Sequence, residues 1–192
     1  DKLNSWGYRD ALIVRDSVVA VDDKHVDVYL DIRKGKKYYL RNVHWVGNTI
    51  YNSEALDFAL KMKRGDVYNQ QLLNKRLRED EDAIGTQYYN NGYIFSGVTP
   101  VEINVEGDSI DLEMRVTEGP QATINRVRFA GNDRVYDHVI RRELRTKPGD
   151  LFSREALMRT VRELASMQQF DPEYLSAEIG KNIVPNAETG TV

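Results

Sequence analysis

The sequence has no cysteine, which excludes a structural disulfide, a thiolate metal site and a cysteine nucleophile. Its longest apolar runs are only a few residues, whereas a membrane-spanning helix needs roughly 20. The first residues, Asp-Lys-Leu-Asn, lack the basic and apolar regions of a signal peptide, which leaves the location open. A net charge of −3 lacks the basic surplus of a typical nucleic-acid binder. What remains is a composition typical of one to three small globular domains.

Two short stretches of the chain are nearly alike, "VHWVGN" at 43–48 and "VRFAGN" at 127–132, and they lie 84 residues apart. The same separation aligns Gly-Asp at 65–66 with Gly-Asp at 149–150. A series of matches in one register indicates an internal repeat. The positions that define it are Gly47, Asn48, Gly65, Gly131, Asn132 and Gly149.

One period predicts a strand followed by two helices. The stretch 39–48 is short, rich in β-branched and aromatic residues, and ends at Gly-Asn, as a strand does. Ser53 is the predicted N-cap of a helix whose apolar stripe contains Leu56 and Leu60. Gly65 is the predicted C′ residue of that helix. A second, longer helix is predicted to present one apolar face, formed by Leu73, Leu77, Ile84 and Tyr88.

A hairpin completes the period. Apolar residues alternate at Val101, Ile103 and Val105, and again along 110–116, on either side of a Gly-Asp turn. The unit is therefore β-α-α-β-β, an α+β fold. Its period predicts that residues 1–35 hold the end of one unit, a helix end and a hairpin. Residues 36–119 form a complete unit, and 120–192 form a third.

The last strand of the third unit is expected near position 194, so we expect residues 120–192 to lack most or all of it. We also expect that neither end of the chain is natural. Without that strand, the third unit is expected to be disordered or to be completed by another molecule.

A tandem β-α-α-β-β unit of this length resembles the polypeptide-transport-associated (POTRA) repeat, above all the repeats of BamA-type outer-membrane assembly factors. The resemblance covers essentially the whole chain. In the second unit it depends on Val43–Asn48, Gly65–Asp66, Tyr88–Tyr93 and Val116–Gly119. In the third it depends on Val127–Asn132, Ile140–Leu144 and Gly149–Asp150.

The third unit departs from the pattern because it lacks the Asn-Gly-Tyr of 91–93 and has Phe-Asp-Pro at 170–172 instead. In this it is similar to the last repeat of the family, next to the membrane barrel. The three units would then be a partial third-from-last, a next-to-last and a last repeat.

The resemblance implies tandem modules, each with a three-stranded mixed sheet covered by two helices. It implies a periplasmic scaffold tethered to the outer membrane through a C-terminal barrel of the same full-length chain. The implied partners are unfolded outer-membrane proteins and accessory assembly lipoproteins, and no cofactor is implied. Two-partner secretion transporters and autotransporter-assembly factors use the same repeat and stay open as alternatives.

A three-stranded sheet leaves two edges, and an extended client can add a strand to either. In the family fold the first strand of the hairpin lies at an edge, so the candidate augmentation strand is Val101, Glu102, Ile103, Asn104 and Val105. The alternative is an ordinary edge that the charges of Glu102 and Glu106 protect from pairing.

A charged cluster on the first helix of the third unit, Arg141, Arg142 and Glu143, is the candidate docking patch for a lipoprotein. The alternative is a solvated helix face whose ion pairs contribute little. "REDED" at 78–82 is interpreted as a solvated helix face, because neighbouring residues on a helix point in different directions.

No catalytic, cofactor or metal site is expected. His25, His44 and His138 lack metal-ligand spacing, and no catalytic triad order or phosphate-binding glycine loop occurs. A hydrolytic enzyme is therefore the least favoured alternative. Trp45 and Phe129 are predicted to face a core.

Overall fold

The chain folds as a row of α+β units, and the computed structural model describes residues 2–129, 132, 135–175 and 182–192. Gly131 of the repeat signature lies outside these residues. The first unit contains helix α1 (Lys2–Ser5) and an antiparallel hairpin of β1 (Leu12–Ala20) and β2 (Val26–Arg33). One face of β2 carries apolar side chains that are 42–59% exposed, those of Val26, Val28, Leu30 and Ile32.

The central unit is built on a three-stranded mixed sheet. Its order is β3-β5-β4, with β3 parallel and β4 antiparallel to β5. The strands are β3 (Tyr39–Val46), β4 (Gly97–Glu106) and β5 (Ser109–Thr117). The helices are α2 (Ser53–Leu60), α3 (Gln70–Asn74), a π-helical segment (Lys75–Glu79) and α4 (Ile84–Asn90). The predicted α+β class with a mixed three-stranded sheet is confirmed.

The core of the central unit lies between β5 and the helices. Ile110, Leu112 and Met114 of β5 are fully buried. Burial of each such side chain stabilises the fold by about 1.5–3 kcal/mol. The helical side of the core contains the predicted stripe residues, namely Leu56, Leu60, Leu73, Leu77, Ile84 and Tyr88.

The prediction of one long second helix was wrong. The helix passes into π-helical geometry after Asn74, and the chain leaves it at Asp80 (ψ 152°) before α4 begins at Ile84. The cause is the buried guanidinium of Arg76, whose Nη1 lies 2.8 Å from Asp80 Oδ2 and 2.9 Å from Asp82 Oδ1. On a continuous helix these two carboxylates would point in different directions, and the break lets both reach Arg76. Arg78 and Glu79 of "REDED" lie in the π-helical segment, whereas residues 80–82 form the turn whose two aspartates neutralise Arg76.

Two predicted helix caps were also wrong. Asn52, not Ser53, is the N-cap of α2, and its side chain accepts a hydrogen bond from the N–H of Ala55 at 2.9 Å. At the other end Lys61, not Gly65, ends the helix in the left-handed conformation, with φ 54°; Gly65 also has a positive φ, 90°, but lies beyond the helix end. Gly65 lies one turn further on, where it contacts the sheet.

The alternation predicted for β4 is interrupted by a bulge at Ile103. Glu102 pairs with Leu112 and Asn104 pairs with Asp111, which leaves Ile103 as the extra residue. A bulge shifts the residues on either side to opposite faces. Val101 therefore lies opposite Glu113, whereas Val105 lies opposite the buried Ile110. Val101, Ile103 and Val105 do not form a single apolar face.

The third unit contains α5 (Asp137–Glu143) and α6 (Arg154–Ser166). Thr123 forms an antiparallel bridge with Leu151 and a parallel bridge with Thr191, close to the predicted start of a last strand at 194. No longer strand occurs in the part of this unit that the structure describes. The buried residues of the unit include Ala122, Ile124, Ile140, Phe152, Val161 and Leu164.

Candidate functional site: strand edges and module junctions

The Gly-Asn signature is a turn that carries the first strand into the first helix. Gly47 has φ +86°, and a Cβ at this position would lie 2.3 Å from the carbonyl oxygen of Val116, so only glycine fits. Asn48 Nδ2 donates to the carbonyl of Tyr51 at 2.9 Å and to Ser53 Oγ at 3.3 Å. The side chain thus holds the start of α2.

The second copy of the signature makes the same contacts 84 residues later. Asn132 Nδ2 donates to the carbonyl of Val135 at 3.0 Å and to Asp137 Oδ1 at 2.7 Å. The signature asparagines therefore have a structural role in both units.

The second signature, Gly-Asp, anchors the turn after the first helix to the first strand. The N–H of Gly65 donates to the carbonyl of Leu40, and that of Gly149 to the carbonyl of Ile124, both at 2.7 Å. In each copy the following aspartate accepts a hydrogen bond from the N–H three residues before it, at 2.7 and 2.8 Å. These glycines likewise belong to the fold rather than to a binding site.

Glu118 closes the turn of the central unit from the other side. Its Oε1 accepts hydrogen bonds from the N–H groups of Thr49 and Ile50 and from the hydroxyl of Tyr88, each at 2.9 Å. Burial raises the pKa of Glu118, but these hydrogen bonds outweigh burial and hold the pKa below its ordinary value. The Val-Thr-Glu-Gly motif is thereby explained as a second anchor for the strand-to-helix turn.

A polar network ties the three strands together on the face opposite the helices. Asp111 accepts two hydrogen bonds from Arg41, at 2.9 and 2.6 Å, and one from Asn42 at 2.9 Å. Arg41 also lies 2.6 Å from Glu106 on the opposite edge strand. The hydrogen bonds from Arg41, opposed by burial and aided by Asn42, lower the pKa of Asp111 to about 2.

The candidate client strand, residues 101–105, belongs to an edge. β4 pairs with β5 on one side only, and its other side has no strand partner in the described ranges of the chain. Beside this edge runs a groove between β4 and α3, lined by Tyr68, Gln70, Leu73, Asn74, Pro100 and Val101.

The charges expected to protect this edge are already paired. Glu102 accepts a hydrogen bond from the hydroxyl of Tyr68 at 3.1 Å and lies 2.6 Å from Arg9 of the first unit. Burial, together with Glu102, raises the pKa of Tyr68. Glu106 is paired with Arg41. Both carboxylates are thus partly neutralised, and the bulge at Ile103 is the main feature that disrupts the edge.

The candidate docking patch of the third unit divides in two. Arg142 Nε donates to Glu143 Oε1 at 3.3 Å, and the Arg142 side chain is 78% exposed. Arg141 instead lies over the ring of Phe129, with 4.9 Å between the guanidinium carbon and the ring centre. Phe129 is half-buried, like Trp45, which packs against the central core.

The junctions between units were not singled out from the sequence. The N–H of Tyr38 donates to the carbonyl of Gly7 at 2.9 Å, and the N–H of Ala122 donates to the carbonyl of Gly92 at 2.7 Å. Asn90 Oδ1 also accepts from the N–H of Glu155, in the first turn of α6, at 2.8 Å. The Asn-Asn-Gly-Tyr motif is the sequence feature that could have identified this junction, because its Asn90 and Gly92 bond to the next unit.

The three histidines lie in different surroundings. His25 pairs with Asp22, His44 is exposed on β3, and His138 stacks on Tyr136. Among the residues with described positions, no group of three His, Cys, Asp or Glu side chains is placed to hold a metal ion. The same residues include no helix long and apolar enough to cross a membrane.

The POTRA family model, described as "Surface antigen variable number repeat", matches residues 38–119 and 122–192. The chain belongs to the POTRA family. The two matched ranges are two consecutive POTRA modules, and they begin at the two residues, Tyr38 and Ala122, whose N–H groups bond to the preceding unit.

Two named relatives are similar to this chain in sequence. The chain is 25% identical over 187 residues to the outer membrane protein assembly factor BamA of Nitratidesulfovibrio vulgaris, covering 97% of this chain and 23% of that protein. It is 23% identical over 175 residues to BamA of Neisseria meningitidis serogroup B, covering 87% of this chain and 22% of that protein. The chain therefore spans less than a quarter of these curated relatives.

A solved structure has the same fold. The crystal structure of Haemophilus influenzae BamA POTRA3-5 matches with a TM-score of 0.72 and 24% identity, over 89% of this chain and 67% of that one. The resemblance to the POTRA repeats of BamA-type factors is confirmed.

Proposed function

We propose that the chain is part of the periplasmic scaffold of an outer-membrane β-barrel assembly machinery, tethered to the outer membrane by a part of the protein outside this chain. The observation that carries this proposal is a run of POTRA modules whose curated relatives are named for outer-membrane protein assembly. The open strand edge and groove of the central module support a role in binding extended chains.

The edge of β4 is the proposed binding surface for unfolded outer-membrane proteins. A client would add as a strand along Val101–Val105, where backbone hydrogen bonds provide affinity that depends little on sequence. Pro100 has no N–H and sets one limit of this pairing. The bulge at Ile103 divides the strand, so a client must either pair on one side of it or follow its bend.

Proline substitution at the bulge and directly after it tests this proposal. Asn104→Pro and Ile103→Pro remove one N–H each from the strand, and we expect each to reduce photo-crosslinking of an unfolded outer-membrane protein to this edge. Asn104→Ala and Ile103→Ala, which keep the N–H groups at the same positions, are the matched controls. Circular dichroism must first establish that each variant is folded. Unchanged crosslinking in folded variants would contradict strand addition at β4.

The third module is the proposed docking site for an accessory assembly lipoprotein, through Arg142 and Glu143 at the end of α5. Both side chains reach solvent, and their mutual ion pair contributes little to stability, so they are available to a partner. We expect Arg142→Glu combined with Glu143→Lys to reduce co-purification of the lipoprotein. Arg159→Glu, on α6, is the control. Co-purification at the level of the unmodified chain would remove this part of the proposal.

A further inference from the structure

The third module has a groove between residues 126–129, which follow the bridges of Thr123, and α5. The groove is lined by Arg126, Arg128, Phe129, Asp137, Arg141 and Pro148. It is separate from the Arg142–Glu143 pair, and nothing proposed above for clients or lipoproteins uses it.

The groove is strongly basic. Arg126 and Arg128 are exposed, and neither has an acidic partner among the residues with described positions. Arg141 lies against the ring of Phe129, and its Nη2 lies 3.9 Å from Oδ2 of Asp137. Three arginines thus line the groove, and among its described lining residues Asp137 carries the one carboxylate that balances them.

The central module shows that the fold does not need these arginines. At the positions 84 residues earlier it has Asn42, His44 and Asp57. The aromatic contact is kept, because Trp45 Nε1 donates to Asp57 Oδ1 at 2.7 Å where Phe129 packs under Arg141. The contact therefore survives with either sign of charge on the helix. The basic residues in the groove of the third module are therefore not explained by folding and indicate a role in binding.

The backbone of the same edge is partly paired already. Ile124 donates to the carbonyl of Asp150 at 2.8 Å and accepts from the N–H of Gly149 at 2.7 Å. In the central module the register shifts between Leu40 and Asn42, so these two residues face opposite sides of the sheet. Their counterparts, the buried Ile124 and the exposed Arg126, show the same change, so the backbone groups of Val127 and Phe129 face the edge that Ile124 uses. Within the described residues they have no backbone hydrogen bond. The turn thus leaves the rest of this edge open for another strand.

We propose that this groove binds an extended acidic peptide segment, which continues the edge pairing along residues 126–129. Cross-strand neighbours have Cβ atoms about 4.5–5.5 Å apart, so carboxylates at alternate peptide positions would lie opposite Arg126 and Arg128. Apolar side chains between them would point to the other face. The groove would recognise both the negative charge and the backbone of its ligand, whereas β4 is proposed to recognise the backbone of its client.

Binding can be measured on the 192-residue chain by fluorescence anisotropy with a short synthetic peptide of alternating glutamate and valine. The matched probe has lysine at every glutamate. We expect the glutamate peptide to bind, more weakly as salt increases, and the lysine peptide not to bind. Arg126→Glu with Arg128→Glu should lower the affinity at least about tenfold. The corresponding change in the central module at the exposed His44, His44→Glu, should leave it unchanged.

Neutral substitution, Arg126→Gln with Arg128→Gln, repeats the test without introducing negative charge and covers the case in which the reversal variant does not fold. A glutamate peptide that is N-methylated at alternate residues should lose binding, since strand addition needs its N–H groups. Equal binding by both arginine variants, or by the methylated peptide, overturns the proposal. The proposal is also overturned if the glutamate peptide does not bind and vesicles that contain anionic phospholipid bind through the same arginines.

Discussion

The central and third modules are two copies of one unit that share their turn contacts and differ in one groove. Both keep the Gly-Asp turn on the first strand and the asparagine that holds the first helix, with hydrogen-bond lengths that differ by 0.1 Å or less at the backbone acceptors. They differ in the groove beside the first strand, where Asp57 is replaced by Arg141. Contacts present in both copies are required by the fold. Positions whose side chains differ between the two modules, although the fold is the same, are the positions where the modules can differ in what they bind.

The largest expected difference between the modules concerns a buried leucine. Leu60 is fully buried in the central core, whereas its counterpart, Leu144, is half-buried and lies just past the end of α5. We expect Leu60→Ala to destabilise the central module by about 2–5 kcal/mol, because it leaves a cavity, and Leu144→Ala to cost clearly less. Hydrogen exchange followed by mass spectrometry reads each module separately. Equal costs would mean that the two cores are equally packed.

The second prediction concerns the turn glycine. Gly47→Ala places a Cβ 2.3 Å from the Val116 carbonyl oxygen at φ +86°, so we expect a loss of about 1–3 kcal/mol. The control is Gly97→Ala, where the new methyl group meets no atom within 4 Å and φ is not positive. Urea unfolding followed by tryptophan fluorescence, in a Trp6→Phe background so that Trp45 alone reports the central module, gives both values. A Gly47 variant as stable as the Gly97 variant would show that the turn can relax.

The third prediction compares the signature asparagines. Asn48→Ala removes hydrogen bonds to a carbonyl and a hydroxyl, with an expected cost of about 1 kcal/mol. Asn132→Ala removes a bond to the Asp137 carboxylate as well, so we expect it to cost more in its own module, up to about 2 kcal/mol. Hydrogen exchange of α2 and α5 measures the two effects. The reverse order would contradict a charge-assisted bond at Asn132.

The smallest expected effect is a loss of stability that occurs only at acidic pH. The pKa of Asp111 falls from its ordinary 3.8 to about 2 in the folded chain, so its bonds to Arg41 stabilise the central module fully above pH 3.8. That contribution is lost as the pH falls towards 2. We expect Asp111→Asn to remove this part of the acid dependence, measured as unfolding free energy against pH. Asp108→Asn, in the exposed hairpin turn, should retain it. An unchanged profile in Asp111→Asn would refute the pairing.

Periodicity predicted the fold well where side chains pack against a common core. Leu73, Leu77, Ile84 and Tyr88 are all buried although the helix that was meant to carry them is broken, because burial constrains the side chains more than the backbone path. The break at Asp80 could not be predicted, since it depends on Arg76 attracting two carboxylates at close range. The bulge at Ile103 was missed for a similar reason, because it depends on pairing with Asp111 across the sheet.

The candidate sites were predictable only as positions along the chain. The hairpin's first strand does lie at an edge, but its charges are paired with Arg9 and Arg41, which are distant in sequence. The basic groove could not be predicted from clusters of charged residues that are close in the sequence. Arg126, Arg128 and Arg141 come together only when the first strand packs beside the first helix.

The glycine junctions have a consequence for how such chains can change in length. Tyr38 and Ala122 bond to the carbonyls of Gly7 and Gly92 in the same manner, so the two junctions of this chain are made by the same backbone contact. Duplicating or deleting one whole period would join the same two ends again and create no new type of contact. The number of modules can therefore vary by recombination without redesign of the junction, while each copy is free to change the charge of its groove.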